Sequence, residues 1–242
     1  MKTVLLTGAT GAIGCETIKV LDKAGYRIAA QYNTNDILVE QLSQEFHKVK
    51  FYKADLLDII ERRKFVEAVF LDFTNIDILI NNAGAIYGAE NFLNVKEDNF
   101  DNTFNINFKA HFFITQSVYK IMIEKKTAGR IINISSISAK YGGGENTLHY
   151  GCAKAAIECF TKGLAKSAAK NNILVNCVQL GFVESEFHFK MGRTEEELKK
   201  RIDLIPLKRA GKPRDAADMI EFLCSEKSSF ITGQIFTVSG GD

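Results

Sequence analysis

The chain is short of the residues that tie or interrupt a fold. Its 242 residues include only two prolines, Pro206 and Pro213, and no linker, internal repeat or low-complexity tract breaks it up. Its five cysteines, Cys15, Cys152, Cys159, Cys177 and Cys224, are odd in number and form no C-x-x-C pair. Each sits in an apolar segment, as reduced buried thiols do, which argues against a disulfide framework. No metal site is expected. No apolar run approaches the roughly 20 residues that span a bilayer. The opening "KTVLLTG" has too few apolar residues for a signal peptide. A net charge of only +2, with both signs interspersed, gives no footing for nucleic acid or a membrane surface. The basic pairs at Lys125 and Lys199 read as solvated helix ends. A soluble, cytoplasmic protein is expected.

What remains is apolar and rhythmic. At 46% hydrophobic composition the chain is long enough for one large core and short for two. Short apolar runs alternate with segments of helical period, which predicts βαβ units and a parallel sheet. The predicted strands are "TVLLT" from Thr3, "RIAAQY" from Arg27, "VKFYKA" from Val49, "IDILIN" from Ile76, "RIINIS" from Arg130, "ILVNCV" from Ile173 and "QIFTVS" from Gln234. Between them lie helices such as "AIGCETIKVLDKAG", closing on Gly25, and "DAADMIEFLCSE" from Asp215, whose acidic start suits the helix dipole. The fold class is therefore α/β, a Rossmann-type doubly wound parallel sheet of about seven strands with helices on both faces. One domain over 1–242 is expected. The charged segment 184–207 breaks the rhythm and reads as a substrate-side flap.

Directly after the first strand comes "TGATGAIG", Thr7 to Gly14. Glycines there let the backbone approach a pyrophosphate, whose charge the N–H groups opening the next helix can meet. By itself such a turn is weak evidence; as the first βα turn of a doubly wound pattern it points to a dinucleotide. Its spacing, Gly8, Gly11 and Gly14, differs from G-x-G-x-x-G. The second strand ends near Tyr32 with no Asp or Glu between Asp22 and Asp36, so nothing repels a ribose 2′-phosphate. No Arg or Lys occurs from Asn33 until Lys48 either. Thr10, Asn33 and Thr34 would hold the phosphate by neutral hydrogen bonds, favouring NADP with NAD possible.

Later in the chain "HYGCAKAAIECF" puts Tyr150 and Lys154 on one face of a helix. Alone, the pair reads as a half-buried tyrosine beside a snorkelling lysine. "TGATGAIG", "NNAG" at Asn81 to Gly84, Asn107 in "NINF", "ISS" at Ser135 and Ser136, and Tyr150 with Lys154 nevertheless occur in the order of the short-chain dehydrogenase/reductase motifs. The carboxyl-terminal third resembles that family as well. Within it the chain looks most like the beta-ketoacyl-acyl-carrier-protein reductases of fatty acid biosynthesis.

The resemblance implies that Tyr150 protonates a substrate carbonyl as hydride arrives from the nicotinamide. Its acidity is expected to be raised by the Lys154 ammonium. Lys154 would also bond the nicotinamide ribose, Ser136 the developing oxyanion, and Asn107 a water behind the lysine. Without the family Asn107 would be a helix irregularity, and Ser136 a plain turn residue. The implied cofactor contacts are Gly8, Thr10, Gly11, Ala12, Ile13 and Gly14 in the turn, then Tyr32, Asn33, Thr34, Asp55 and Leu56. Asn82, Ala83 and Gly84 line the adenosine ribose, and Gly181, Val183 and Ser185 the carboxamide end. A helix N-cap competes for Asp55.

The chain departs from the family at several points. Ala12 replaces the middle glycine of the phosphate turn, and Leu180 the proline before Gly181. Ser136 to Tyr150 is one residue longer than is common. Thr127 and Asn171 stand where carrier-protein reductases often place arginines. The reading is an NADPH-dependent oxidoreductase of a ketone, a beta-ketoacyl thioester first, with an acyl carrier protein an open partner. The alternatives are an NAD(P)-linked enzyme for a sugar, polyol or secondary-metabolite ketone, and a dinucleotide-sensing protein without chemistry. Helices apolar on more than one face, above all Phe104 to Ile123, predict a homodimer or homotetramer.

Overall fold

A computed structural model describes residues 1–187 and 194–242; of the expected flap, 188–193 lie outside the described residues. Seven strands form one parallel sheet: β1 (Thr3–Leu6), β2 (Arg27–Tyr32), β3 (Val49–Lys53), β4 (Ile78–Asn81), β5 (Arg130–Ser136), β6 (Leu174–Leu180) and β7 (Ile235–Val238). Their order is β3-β2-β1-β4-β5-β6-β7. The chain winds outward from β1 in one direction, then returns to begin again at β4. That reversal opens a crevice at the carboxyl ends of β1 and β4, where doubly wound sheets take their ligands.

Each strand is short and apolar, with its side chains alternating between two cores. Val4, Leu6, Ile28, Ala30, Ile78, Ile80, Ile132 and Ile134 face α1 (Ala12–Lys23), α2 (Asp36–Glu45) and α9 (Pro213–Cys224). Leu5, Ala29, Leu79, Ile131 and Val175 face α3 (Ile59–Asp72), α5 (Ala110–Glu124) and α7 (Leu148–Ala168). The helix boundaries follow local chemistry. Asp58 caps α3 by accepting from Ile60 and Glu61 N–H, Pro213 opens α9, and Gly25 takes the left-handed conformation after α1 at φ +87.

The segment from Phe104 to Ile123 is not one helix. α4 (Glu97–Phe104) passes through a π-helical turn at Asn105–Lys109 before α5 begins. Such turns insert one residue and re-aim side chains inward. Asn107 is the residue that this one buries completely. The described part of the flap holds α8 (Glu195–Leu204), started by a Thr194–Glu197 capping box. A short α6 (Ser138–Tyr141) follows β5.

Candidate active site

A cavity of about 950 Å³ runs along the carboxyl edge of the sheet. Around one end lie Gly8, Thr10, Gly11, Ala12, Ile13, Gly14, Asn33, Thr34, Asp55 and Leu56; Asn82, Ala83 and Gly84 form its floor. Ser136, Tyr150, Lys154, Gly181, Val183 and Ser185 surround the other end. Of the residues singled out in the sequence, Tyr32 and Asn107 do not line it. The Tyr32 ring packs edge-on to Phe51 at 6.4 Å and its hydroxyl donates to Asp36 at 2.9 Å. Asn107 lies just beneath the floor.

The turn after β1 fits a pyrophosphate. Gly8 sits at φ +68, and a Cβ there would come 2.8 Å from Ala83 Cα; one on Gly14 would lie 2.2 Å from the Gly8 carbonyl. The tight turn and close approach thus need glycine at those two positions. No side chain caps α1 and no acidic residue stands in its first turn, so its leading N–H groups are left for an anion. Asn82 braces the turn, its side-chain amide donating to the Thr7 and Gly8 carbonyls at 2.9 and 3.0 Å. Asp55 is not the cap of α3, which is Asp58; it accepts from Leu57 N–H at 2.9 Å and faces the cavity.

At the other end α7 lies across β5. Lys154 is buried. Its ammonium donates to the Ile134 carbonyl at 3.0 Å and lies 5.6 Å from the centre of the Tyr150 ring. Burial pushes its pKa down to about 8. Tyr150 is pushed the other way, up to about 12, again by burial, with a hydrogen bond from Ser136 pulling it back. This corrects the expectation that the lysine governs the phenol's acidity. Among the protein's own groups, loss of water around the ring outweighs other influences, and Tyr150 stands as a neutral phenol.

Ser136, closing β5, has its hydroxyl 3.3 Å from that of Ser138 and accepts from Ser138 N–H at 3.2 Å. Asn107 donates through its amide to the Ala85 and Thr103 carbonyls at 2.5 and 2.8 Å. Its Oδ1 has no hydrogen-bond partner among the described residues. A Cβ on Gly84 would sit 2.8 Å from that oxygen and 3.3 Å from Lys154 Nζ, so both atoms border the glycine. A buried acceptor and a buried ammonium close to the same small residue are groups that an ordered water can satisfy.

Some neighbours were not visible in the sequence. The Glu158 Oε1 atom accepts from Ser135 and from Gln179, both at 2.7 Å, tying α7 to β5 and β6. His111, one turn beyond Asn107, is fully buried and held neutral by burial and by the nearby Lys154 charge, its pKa pushed down to about 3. A third pairing, of Lys53 with Asp36 at 2.6 Å, lies beside the Asn33–Asn35 loop that lines the cavity. Each depends on contacts between distant elements, for which local sequence carries no signal.

A doubly wound parallel sheet, a glycine turn feeding an uncapped helix, and a tyrosine–lysine pair in the same crevice define the class: an NAD(P)-dependent dehydrogenase/reductase. The family profile described as Enoyl-(Acyl carrier protein) reductase matches residues 8–242. The chain is 35% identical to a 3-oxoacyl-[acyl-carrier-protein] reductase, FabG, of Thermotoga maritima, covering 99% of this chain and 97% of that protein. It is 30% identical to a hydroxynaphthalene reductase-like protein, Arp2, of Metarhizium acridum, over 99% of this chain and 94% of the other. A solved structure of a doubly substituted Serratia marcescens short-chain dehydrogenase/reductase superposes with a TM-score of 0.90 at 27% identity, over 99% and 97% of the two chains. The chain belongs to the short-chain dehydrogenase/reductase family. Among the described residues no helix is long and apolar enough to cross a membrane, and no cluster of three or more His, Cys, Asp or Glu forms a metal site.

Proposed function

We propose that the protein reduces a ketone, a beta-ketoacyl thioester in the first instance, with NADPH. The observation that carries this reading is the sharing of one cavity by the anion-ready glycine turn and by Ser136, Tyr150 and Lys154. Bound NADPH supplies the hydride. The glycine turn and α1 would hold its pyrophosphate, Asp55, Leu56 and the Asn82–Gly84 floor its adenosine, and Gly181, Val183 and Ser185 its carboxamide.

Tyr150 is the proton donor. A phenol with its pKa near 12 is fully protonated at neutral pH, the form that reduction needs. Ser136 and Tyr150, which line the same end of the cavity, would both donate to one substrate oxygen and stabilise charge developing there. Two hydroxyl donors meeting at one oxygen suit a C=O better than the C=C named in the profile's description. After transfer the Lys154 ammonium would re-supply Tyr150, and a proton taken up from solvent would pass to the lysine through a water held by Asn107 Oδ1.

Purified protein with NADPH and acetoacetyl-CoA is expected to lose absorbance at the nicotinamide band. Tyr150→Phe is expected to lower kcat by about a thousandfold while NADPH binding, read by fluorescence, stays within twofold. A Tyr150→Phe enzyme that keeps its rate would remove the proposed acid.

A second reading, a ketone of secondary metabolism, is favoured by Thr127 and Asn171 at the arginine positions of carrier-protein reductases and by the longer mouth around Gly142 to Glu145. A substrate panel with and without acyl carrier protein separates the two. The protein is further proposed to work in the cytoplasm as a homodimer or homotetramer. Phe108, Phe112, Phe113 and Phe160 form a ring cluster across the π-helical turn, α5 and α7, with Phe113 and Ile123 exposed. A second copy would bury that surface. Sedimentation at micromolar concentration is expected to show no monomer.

A further inference from the structure

The sequence offers no cation in the loop after the second strand, yet the fold brings one there. Parallel pairing sets Tyr32, the last residue of β2, against Lys53, the last of β3. Lys53 Nζ donates to Asp36 Oδ2 at 2.6 Å, and the Tyr32 hydroxyl donates to Asp36 Oδ1 at 2.9 Å. Asp36 opens α2. The three residues before it, Asn33, Thr34 and Asn35, line the adenosine end of the cavity, as does Leu38 just after. The clamp therefore flanks the loop that meets the adenosine ribose in a doubly wound fold.

From this juxtaposition we propose that Lys53, held by Asp36 and Tyr32, is the specificity-determining cation for a 2′-phosphate on the adenosine ribose. The proposal rests on the dinucleotide-binding reading above and deepens its choice of NADPH. An ammonium has three N–H donors. One is spent on Asp36, leaving others for phosphate oxygens. Asp36 is a positioning residue: its carboxylate fixes a flexible lysine at the edge of the loop, and the Tyr32 hydroxyl fixes the carboxylate. Lys53 and Asp36 hold each other charged, each being the largest influence on the other's pKa.

A bare ribose hydroxyl gains little from such a cation, whereas a phosphate dianion gains a charge-assisted hydrogen bond. Asn33 and Thr34 supply neutral donors to either ligand. Lys53 thus adds discrimination more than affinity for the rest of the cofactor. Because Lys53 and Asp36 are exposed, salt screens the clamp.

The test is direct binding of NADPH and of NADH to the purified full chain, by cofactor fluorescence, independently of turnover. Lys53→Met is expected to weaken NADPH about fivefold, with NADH within twofold and the melting temperature nearly unchanged. Lys53→Arg is expected to keep the preference, and Lys53→Glu to weaken NADPH further than Lys53→Met. Raising ionic strength should narrow the NADPH preference of the parent protein and leave Lys53→Met nearly indifferent. If Lys53→Met shifts both cofactors equally, or shifts neither, the proposal is overturned while the NADPH reading stands. A parent protein that binds NADH more tightly than NADPH overturns both.

Discussion

The Lys154 ammonium lies 5.6 Å from the centre of the Tyr150 ring, with the Ile134 carbonyl as its acceptor at 3.0 Å. The ammonium and the phenol ring are thus direct neighbours on α7. That proximity fits the proposed relay, in which a neutral phenol gives up a proton and the neighbouring cation makes good the loss.

The proposed relay fixes the expected pH dependence. Tyr150, with its pKa pushed up to about 12, stays a phenol throughout the working range. Lys154, pushed down to about 8 by burial, is an ammonium below that pH and loses its proton above it. The ketone-reducing kcat is therefore expected to be flat towards neutrality and to fall above about pH 8. The limb approaches tenfold per unit, since one proton is lost per relay. Steady-state rates at saturating NADPH and substrate from pH 6 to 10 check this. A kcat holding level to pH 10 would remove Lys154 from the relay.

The same burial makes Lys154 costly to the fold. Its pKa is about 8 folded against about 10.4 in an unfolded chain, so the unfolded state takes up the proton more readily. Below pH 8 that penalty is fully present; between 8 and 10.4 it fades as the unfolded state also becomes neutral. Lys154→Met is expected to abolish turnover yet stabilise the protein by about 1–2 kcal/mol at pH 7, less at pH 10. Urea unfolding at the two pH values measures both the gain and its decline.

Gly84 borders both Asn107 Oδ1 and Lys154 Nζ, and an added methyl would stand 2.8 Å from the first and 3.3 Å from the second. Asn107 is fixed by two carbonyls and cannot swing aside cheaply. Gly84→Ala is expected to lower kcat at least tenfold by displacing the relay. NADPH affinity should change less, because the glycine turn is untouched. Stopped-flow hydride transfer together with cofactor titration distinguishes this from a general loss of binding.

How far these features can be read from the chain depends on how local their causes are. All seven strands follow from apolar runs between glycines and helical segments, and β2 begins and ends where "RIAAQY" does. Gly25 stops α1 because its own backbone supplies the left-handed turn. Asn107 reads as an irregularity in the sequence, yet the π-helical turn around it needs the floor at Ala85 to draw the amide inward. For Tyr150 the nearest charge along the chain is Lys154, four residues away, and it misleads about the phenol's acidity. The ring's actual surroundings come from α7 lying on the sheet and from Phe187, whose ring centre is 5.8 Å away. Lys53 lies 21 positions beyond Tyr32 and becomes its neighbour only through the β2–β3 register.

Glu158 shows the same dependence on distant contacts and sets a test of how α7 is held. Its Oε1 receives the Ser135 hydroxyl from β5 and the Gln179 amide from β6, both at 2.7 Å. Gln179 in turn accepts from the Thr237 hydroxyl of β7 at 2.9 Å. Ser135 also reaches the Lys154 main-chain carbonyl at 3.2 Å, so the latch lies one turn from Lys154. Glu158→Gln keeps a carbonyl oxygen to accept both bonds and is expected to stay within about 1 kcal/mol of the parent. Glu158→Leu leaves the Gln179 amide without its acceptor and Ser135 with the Lys154 carbonyl alone, and is expected to cost about 1–3 kcal/mol. If the latch positions α7 as well as stabilising it, Glu158→Leu lowers kcat more than it raises KM, because the Tyr150 hydroxyl loses its alignment with Ser136 while the glycine turn still binds cofactor. Equal stability losses in the Gln and Leu variants would mean that the carboxylate's charge, and not its hydrogen bonds, holds the helix.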